Sequence, residues 1–238
     1  MKLAPSLHRV GNDYVNSYLV DTPDGITVVD AGIPGQWADL TRELDDMGRS
    51  LDDIRGVVLT HGDTDHLGYA ERLRHDHGVP VYVHELDAGR ARREPHQPNG
   101  KAGKVRLGAT AGFLWYGARH GAFRVPGVAE VTTFTDGATL DLPGSPRVVW
   151  VPGHTPGSVV LHVPEVDAVF VGDTMTTRNV LTGVTGPAAA PFTLHPDEAL
   201  ASLDKLSGLT ATWVLPGHGA PWNRGLAEAL DRIRAAAT

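Results

Sequence analysis

The sequence predicts an α/β protein whose short buried strands end in turns that carry polar side chains. Apolar runs rich in β-branched residues alternate with amphipathic helical stretches, which is the first indication of this class. Four of those runs end directly in glycine-containing turns that hold a histidine or an aspartate. The length of 238 residues suits one substantial core, so we expect a single domain over residues 1–238.

The first third of the chain predicts two strands, a helix and a third strand. The strands are expected at Tyr14 to Val20 and at Ile26 to Val29, on either side of the turn TPDG. An amphipathic stretch from about Gln36 to Met47, followed by Gly48, predicts a helix. The apolar run from Ile54 to Thr60 is typical of a buried strand.

The stretch THGDTDH, residues 60–66, places two histidines and two aspartates directly after that strand. Apolar residues recur near helical spacing from Leu67 to His77, so the stretch lies in a loop between strand and helix. Loops at the ends of strands are where α/β folds place their chemistry. The chain has no cysteine, so only His, Asp or Glu can hold a metal, and this cluster indicates a metal site.

Three later strands repeat the arrangement. They are predicted at Arg147 to Val151, Ala168 to Val171 and Thr212 to Leu215, and the turns that follow them carry His154, Asp173 and His218. The intervening stretch Phe192 to Leu206 predicts a loop and a helix with Pro196 in its first turn. Four strands therefore each end in a turn that bears a potential ligand.

Together these motifs resemble the metallo-β-lactamase superfamily. That family has an aspartate after an early strand, then H-x-H-x-D-H, G-H-T-x-G, G-D and G-H, and the matching positions here are Asp30, His61 to His66, His154, Asp173 and His218. The resemblance implies an αβ/βα four-layer sandwich of two mixed β-sheets with helices on the outer faces. It also implies that the ligand turns gather along one edge. The one departure is Asp63, which stands where the family has a histidine.

The resemblance further implies two ligand sets. One is His61, Asp63 and His154; the other is Asp65, His66 and His218; Asp173 would bridge them. Asp30 would orient a ligand from behind, and His84, which ends the predicted strand VPVYVH, is a second candidate for such a role or for a purely structural one. Two divalent ions are expected, with zinc favoured and iron or manganese as alternatives.

The implied chemistry is metal-dependent hydrolysis. Two ions about 3.5–4 Å apart can share a hydroxide that attacks a carbonyl or phosphoryl centre, with Asp65 as the catalytic residue that orients it and passes on a proton. The leading substrates are a carboxylic ester, thioester, lactone or amide. Phosphoester or phosphodiester hydrolysis and a non-enzymatic metal-binding module are the alternatives.

Asp63 need not remove a ligand, because a carboxylate binds zinc or iron at about 2.0–2.2 Å. It changes the charge, since a site that would carry one net positive charge with histidine becomes neutral with ionised Asp63. A less positive site should bind anions less strongly and acidify its water less. Because aspartate is shorter than histidine, binding through a water molecule is also open.

The segment from Gly89 to Gly127 separates the two halves of the chain. It holds six Arg and two Lys against one Glu. The basic residues before position 107 could neutralise a carboxylate or phosphate on the substrate and so offset the charge lost at Asp63, and an ordinary solvated loop is equally open. An ordinary surface excursion and a substrate-covering lid are both open for this segment. Its aromatic residues Phe113, Trp115 and Tyr116 are candidates to line the mouth of a pocket or to pack the segment down.

Charge and hydropathy limit the partners. The net charge is −7 without a basic face, which argues against nucleic acid. No run of about 18 apolar residues and no signal-peptide core occurs, so a cytoplasmic protein without a membrane partner is expected. The expected partner is a small-molecule substrate.

Overall fold

The first of two main sheets has seven strands in sequence order. A computed structural model describes residues 1–237. The strands are β1 (Lys2–Ala4), β2 (Leu7–Gly11), β3 (Asn16–Thr22), β4 (Gly25–Val29), β5 (Ile54–Val58), β6 (Val81–His84) and β7 (Thr132–Phe134). The pairs from β1 to β4 are antiparallel, and those from β4 to β7 are parallel. The sheet is therefore mixed, as predicted.

The second main sheet is also mixed. The later strands are β8 (Arg147–Trp150), β9 (Val159–Val163), β10 (Ala168–Gly172), β11 (Thr176–Arg178), β12 (Thr185–Ala188) and β13 (Trp213–Pro216). The order in the sheet is β13-β10-β9-β8, and β11 and β12 form a separate antiparallel pair. The pair β10 and β13 is parallel, whereas β9 is antiparallel to both β8 and β10. The C-terminal ends of β8, β10 and β13 consequently lie at one edge.

Six α-helices flank the sheets. They are α1 (Trp37–Met47), α2 (Ala70–His77), α3 (Ala88–Ala91), α4 (Leu107–Arg119), α5 (Pro196–Ser202) and α6 (Leu226–Ala237). Helix α1 forms as predicted because Leu40 and Leu44 lie one turn apart and are buried, and Gly48 ends it in the left-handed conformation. None of the helices in residues 1–237 has the length and apolarity to cross a membrane.

The alternation of strand side chains produces the four layers. Val57 packs with the apolar faces of α1 and α2, whereas the next residue, Val58, packs between the two sheets. In the second sheet, Phe170 packs between the sheets and Val169 packs against α6. Strand β10 is buried along its whole length, and β5 is buried on both faces except at the exposed Arg55, so both sequences are predominantly apolar. The layer order is helices, sheet, sheet, helices, and the predicted sandwich is confirmed.

Several elements escaped sequence-based prediction. Strand β3 begins at Asn16 rather than Tyr14, and α2 begins at Ala70 rather than Leu67. The strands β1, β2, β7, β9, β11 and β12 and the C-terminal helix α6 were not expected. All six missed strands have three to five residues, which is too short for an alternating pattern to stand out. Pairing with neighbouring strands in the folded protein defines them.

Candidate metal centre

The predicted ligands converge at one edge of the sandwich. His61 and Asp63 follow β5, and His66 ends the single turn of 3₁₀ helix Thr64–His66. Beyond the ends of β8, β10 and β13 stand His154, Asp173 and His218, respectively. All are buried except Asp65, which is partly exposed. Chain segments up to 157 residues apart in sequence, from His61 to His218, are thus brought together by the topology.

Two adjoining sets of ligand atoms share this edge. His61, Asp63 and His154 form one cluster, and Asp65, His66 and His218 form the other. In the first, Asp63 Oδ2 lies 3.9 Å from His61 Nε2 and 3.5 Å from His154 Nε2. In the second, His218 Nε2 lies 3.3 Å from Asp65 Oδ2. A third group, His61, His66 and Asp173, takes one histidine from each of these two sets. The first two groups have the members that the family resemblance implied.

Asp173 lies between the two sets. Its Oδ2 is 3.7 Å from His154 Nε2 and 3.2 Å from His218 Nε2, and its Oδ1 is 3.7 Å from His66 Nε2. A tetrahedral ion with bonds of about 2.1 Å separates its ligand atoms by about 3.4 Å, which is close to the spacings in both sets. Asp173 therefore lies within ligand spacing of histidine nitrogens from both sets.

Unpartnered polar atoms show that these residues fit a metal. The buried atoms His61 Nε2, His66 Nε2 and Asp173 Oδ1 make no hydrogen bond among the described residues. Leaving such groups without a partner costs free energy, so their convergence calls for a ligand that they share. A cation held by nitrogen and carboxylate ligands meets that requirement.

The four imidazoles all present Nε2 to the centre because each Nδ1 is held from behind. His66 Nδ1 contacts Asp30 Oδ2 at 2.9 Å, and His61 Nδ1 contacts Thr60 Oγ1 at 3.1 Å. Similar contacts join His154 Nδ1 to Thr193 Oγ1 and His218 Nδ1 to the carbonyl of Tyr14. Fixing the ring in this way sets the tautomer that binds a metal.

Asp30 occupies the position that the sequence analysis expected. Its carboxylate accepts hydrogen bonds from the Thr60 amide at 2.8 Å and from the Thr60 hydroxyl, in addition to its contact with His66. Its backbone φ of 58° lies in the left-handed region, which is uncommon for a residue other than glycine. The uncommon backbone conformation of Asp30 is retained at the position where its carboxylate holds the His66 ring in one orientation.

Burial and the neighbouring carboxylates set the protonation of the metal-free site, so a metal must compete with protons for some of the imidazoles. Burial lowers the pKa of His61 well below its usual value, so its imidazole is neutral. Burial also disfavours the charged form of His66, but the Asp30 carboxylate outweighs it and raises the pKa of His66 to about 9. Burial opposes ionisation of Asp173, yet the charge of His218 holds its pKa below the usual value. Cationic imidazoles thus balance the carboxylates until a metal displaces their protons.

Asp63 is neutralised by a residue that the sequence analysis did not single out. Arg90 of α3 is buried, and its Nη1 donates to Asp63 Oδ1 at 2.6 Å. Asn99 Nδ2 donates to the other carboxylate oxygen, Oδ2, at 2.8 Å. The prediction of a less positive centre is therefore wrong, because the sum of charges included the Asp63 carboxylate but not the buried Arg90 guanidinium paired with it. The basic segment was expected to neutralise an anionic group of the substrate, so this contact with Asp63 itself was not anticipated.

Asp87 was also missed, although it ties two ligand turns together. It is fully buried, and its Oδ2 accepts from the Gly62 amide at 2.8 Å and from the Thr155 hydroxyl at 2.7 Å. Its Oδ1 accepts from the Gly157 amide at 2.8 Å. The turn that carries His61 is thereby joined to the turn that carries His154. No local pattern in the sequence distinguishes this aspartate from others on the surface.

We expect Asp87→Ala to lower the free energy of unfolding of the metal-free protein by about 3 kcal/mol. The change leaves the buried amides of Gly62 and Gly157 without an acceptor, and each such loss costs about 1–3 kcal/mol. Urea unfolding in the presence of a chelator measures the difference. Asp45→Ala, on the exposed face of α1, is the control and should change stability by less than about 0.5 kcal/mol. Equal effects of the two changes would contradict this role for Asp87.

Two predicted site residues lie away from the centre. His84 stacks on Trp150 with ring centroids 5.8 Å apart, and its Nδ1 accepts from the Leu86 amide. It therefore caps a turn and packs beside an aromatic ring instead of orienting a ligand. Trp115 is 63% exposed and faces Arg119, because it lies on the outer side of α4. It does not line the pocket, which was one of the two roles left open for it.

A cavity of about 350 Å³ opens onto the candidate metal centre. Asp63, Asp65, His154, Asp173 and His218 lie on its wall, together with Asn99. The remaining wall is mostly apolar and is formed by Val15, Ile33, Phe113, Leu114, Tyr116, Phe123, Val180, Pro191 and Phe192. Phe113 and Tyr116 thus lie where the sequence analysis expected them. Among the described residues, no lysine or arginine lines this cavity.

Comparison with known proteins identifies relatives over nearly the whole chain. The family model described as the metallo-β-lactamase superfamily matches residues 10–218. The chain is similar to the probable metallo-hydrolase YflN of Bacillus subtilis (strain 168), with 28% identity over 238 residues covering 92% of this chain and 85% of that protein. These matches span every ligand-bearing turn described above.

Solved structures share the fold. A metallo-β-lactamase family protein from Thermus thermophilus superposes with a TM-score of 0.72 and 24% identity, covering 99% of this chain and 80% of that chain. The protein TTHA1623, crystallised in a di-iron-bound form, has a TM-score of 0.58 and 26% identity, covering 98% of this chain and 96% of that chain.

Proposed function

This chain belongs to the metallo-β-lactamase superfamily and is a metal-dependent hydrolase, and on that premise we propose that it holds two metal ions and cleaves an uncharged substrate. The bond cleaved is that of a carboxylic ester, thioester, lactone or amide with an apolar group beside it. The observation that carries the proposal is the pair of adjoining ligand sets around Asp173 at the end of an apolar cavity.

Two divalent ions bound there supply a water molecule activated near neutral pH and a Lewis acid that polarises the attacked carbonyl. The chain's own residues provide the rest. Asp65 lines the cavity, and although burial opposes its ionisation, its hydrogen bond with His218 holds its pKa below the usual value. An ionised Asp65 can orient the attacking water and accept its proton.

The cavity wall selects for a neutral, apolar substrate. Apolar side chains such as Phe113, Leu114 and Phe192 surround the centre, so burying a substrate's hydrocarbon portion there stabilises the complex. Among the described residues no lysine or arginine lines the cavity, and the buried Arg90 guanidinium is already paired with Asp63, so an anionic group away from the scissile bond would have no side-chain cation beside it. This arrangement supports an acyl substrate over a phosphorylated one.

We propose zinc as the ion. Each ligand set offers two imidazoles and one carboxylate in addition to the shared Asp173, a combination that zinc accepts readily. Iron is the alternative, and the di-iron-bound form of the similar protein TTHA1623 favours testing it. Elemental analysis of protein purified without added metal distinguishes the two.

A series of p-nitrophenyl esters tests the substrate class. With metal-loaded protein, we expect kcat/KM to rise about 4-fold per added methylene from acetate to octanoate, because burying each methylene contributes about 0.8 kcal/mol. An acyl thioester, nitrocefin and bis-p-nitrophenyl phosphate complete the panel. Faster cleavage of the phosphodiester would contradict the acyl substrate, and inertness of all compounds with two ions bound would contradict the hydrolase.

Two variants on the same helix provide the matched control. Phe113→Ala opens the apolar wall and should lower kcat/KM for the octanoate ester about 10-fold or more while leaving that for acetate nearly unchanged. Trp115→Ala removes an aromatic ring that points away from the cavity and should leave both values unchanged. A similar loss in both variants would argue against binding at this wall.

A further inference from the structure

Asp63, Arg90 and Asn99 form a closed ring of hydrogen bonds at the edge of the first ligand set. Arg90 Nη1 donates to Asp63 Oδ1 at 2.6 Å and to Asn99 Oδ1 at 2.6 Å, and Asn99 Nδ2 donates to Asp63 Oδ2 at 2.8 Å. Arg90 Nη2 also donates to the carbonyl of Gln97 at 3.1 Å. The guanidinium is therefore fixed on two sides, and it is 5% exposed.

The glycine inside the ligand motif allows this approach. A Cβ atom on Gly62 would lie 2.8 Å from Arg90 Cβ and 2.9 Å from the backbone nitrogen of Ala91. Any larger residue between His61 and Asp63 would push α3 away. The close packing places the guanidinium against the carboxylate instead of in solvent.

The pair has the charge of a histidine. A buried carboxylate and a buried guanidinium sum to zero, as a neutral imidazole does, whereas either partner alone would leave an uncompensated buried charge. The departure from the family motif at Asp63 is thus accompanied by a second residue that restores the original charge of the centre.

The pair also presents a single ligand atom, as an imidazole does. Arg90 occupies Oδ1, which leaves Oδ2 facing His61 and His154 at distances close to those of a tetrahedral edge. Asn99 uses one lone pair of Oδ2 and leaves the other available. Without Arg90, the carboxylate could rotate and offer both oxygens, a mode that harder ions such as manganese accept more readily.

We propose that Arg90 is a positioning residue that makes Asp63 a neutral, one-atom substitute for the missing histidine and thereby maintains zinc binding by the first ligand set. The inference rests on the proposed metal centre and adds a determinant of metal preference that lies 27 residues from the ligand in sequence. Arg90 acts only through Asp63 and has no contact with the substrate cavity.

The test measures zinc and manganese binding by chelator competition and elemental analysis in Arg90→Met, Arg90→Lys and Arg49→Met. We expect Arg90→Met to lower zinc affinity of one site by about 10- to 100-fold and to shift the zinc-to-manganese preference towards manganese. Arg90→Lys keeps the positive charge but not the planar guanidinium with its several donors, so its zinc affinity should fall less than that of Arg90→Met. Arg49→Met removes a partly exposed pairing with Asp21, remote from the ligand sets, and should bind both ions as the wild type does.

A reciprocal exchange separates this role from a general effect on folding. Asp63→His alone places an imidazole against an unpaired buried guanidinium and should bind zinc less tightly, whereas Asp63→His with Arg90→Met should recover the wild-type affinity. Thermal unfolding of each metal-free variant checks that it is folded. If the wild type binds two zinc ions and Arg90→Met binds them with the same affinity and metal preference, the role of Arg90 is contradicted while the proposed function stands. If the wild type binds no metal, both the role of Arg90 and the proposed function are contradicted.

Discussion

Asp173→Asn is expected to lower hydrolysis by about 10³-fold or more and to reduce the bound metal from two ions to one or none. Asp173 is the carboxylate shared by both ligand sets, with oxygens 3.2 to 3.7 Å from three histidine nitrogens. The amide of asparagine has nearly the same shape but removes the negative charge between the two proposed cations. Loss of one ion's contribution of several kcal/mol to the transition state corresponds to a change of this size.

Elemental analysis and ester kinetics on the same preparation measure both effects. Asp231→Asn, an exposed position on α6, removes the same charge away from the centre and serves as the control. Its metal content and activity should match those of the wild type. If Asp173→Asn retained two tightly bound ions, Asp173 would not be the shared ligand.

Gly217→Ala should lower metal affinity and hydrolysis by about 10²-fold, although it adds only one methyl group. The added Cβ would lie 2.5 Å from His66 Cε1 and 2.6 Å from Asp173 Oδ1, closer than non-bonded atoms approach. The His66 ring cannot yield easily, because Asp30 holds its Nδ1. A ligand displaced by about 1 Å from its productive position costs a factor of this order.

Gly208→Ala is the matched control for this change. No heavy atom lies within 4 Å of a Cβ placed there, and its φ lies outside the left-handed region. The same addition of a methyl group should therefore leave metal content and ester hydrolysis unchanged. Chelator competition on both variants measures their metal affinity. Wild-type affinity in Gly217→Ala would contradict the prediction, because the added methyl group would then not displace His66 or Asp173.

Most of the candidate centre could be predicted from the sequence because its ligands are encoded locally. Each of His61, His154, Asp173 and His218 lies in a glycine-containing turn directly after an apolar strand. A stretch of about ten consecutive residues therefore contains both the strand pattern and the ligand. The parallel direction of β8, β10 and β13 then brings those turns to the same edge. Family resemblance supplied the grouping of the ligands.

The residues that support the ligands could not be predicted in the same way. Asp87, Arg90 and Asn99 act through contacts with turns 25 to 70 positions away, and they lie in segments without regular polarity patterns. Trp115 and Tyr116 are neighbours in sequence, yet one faces solvent and the other lines the cavity. The direction in which helix α4 packs makes that distinction, and the segment's sequence alone leaves it open.

The sequence by itself determined the class of fold, the seven candidate ligands and their order along the chain, since these depend on strand patterns and on motifs of a few residues. Only the tertiary structure decided the charge of the centre, because Asp63 and Arg90 become partners when α3 packs against Gly62. A motif gives the residue that faces the metal. The electrostatics of a buried site depend on every charge within a few ångströms, and that set of neighbours exists only after folding.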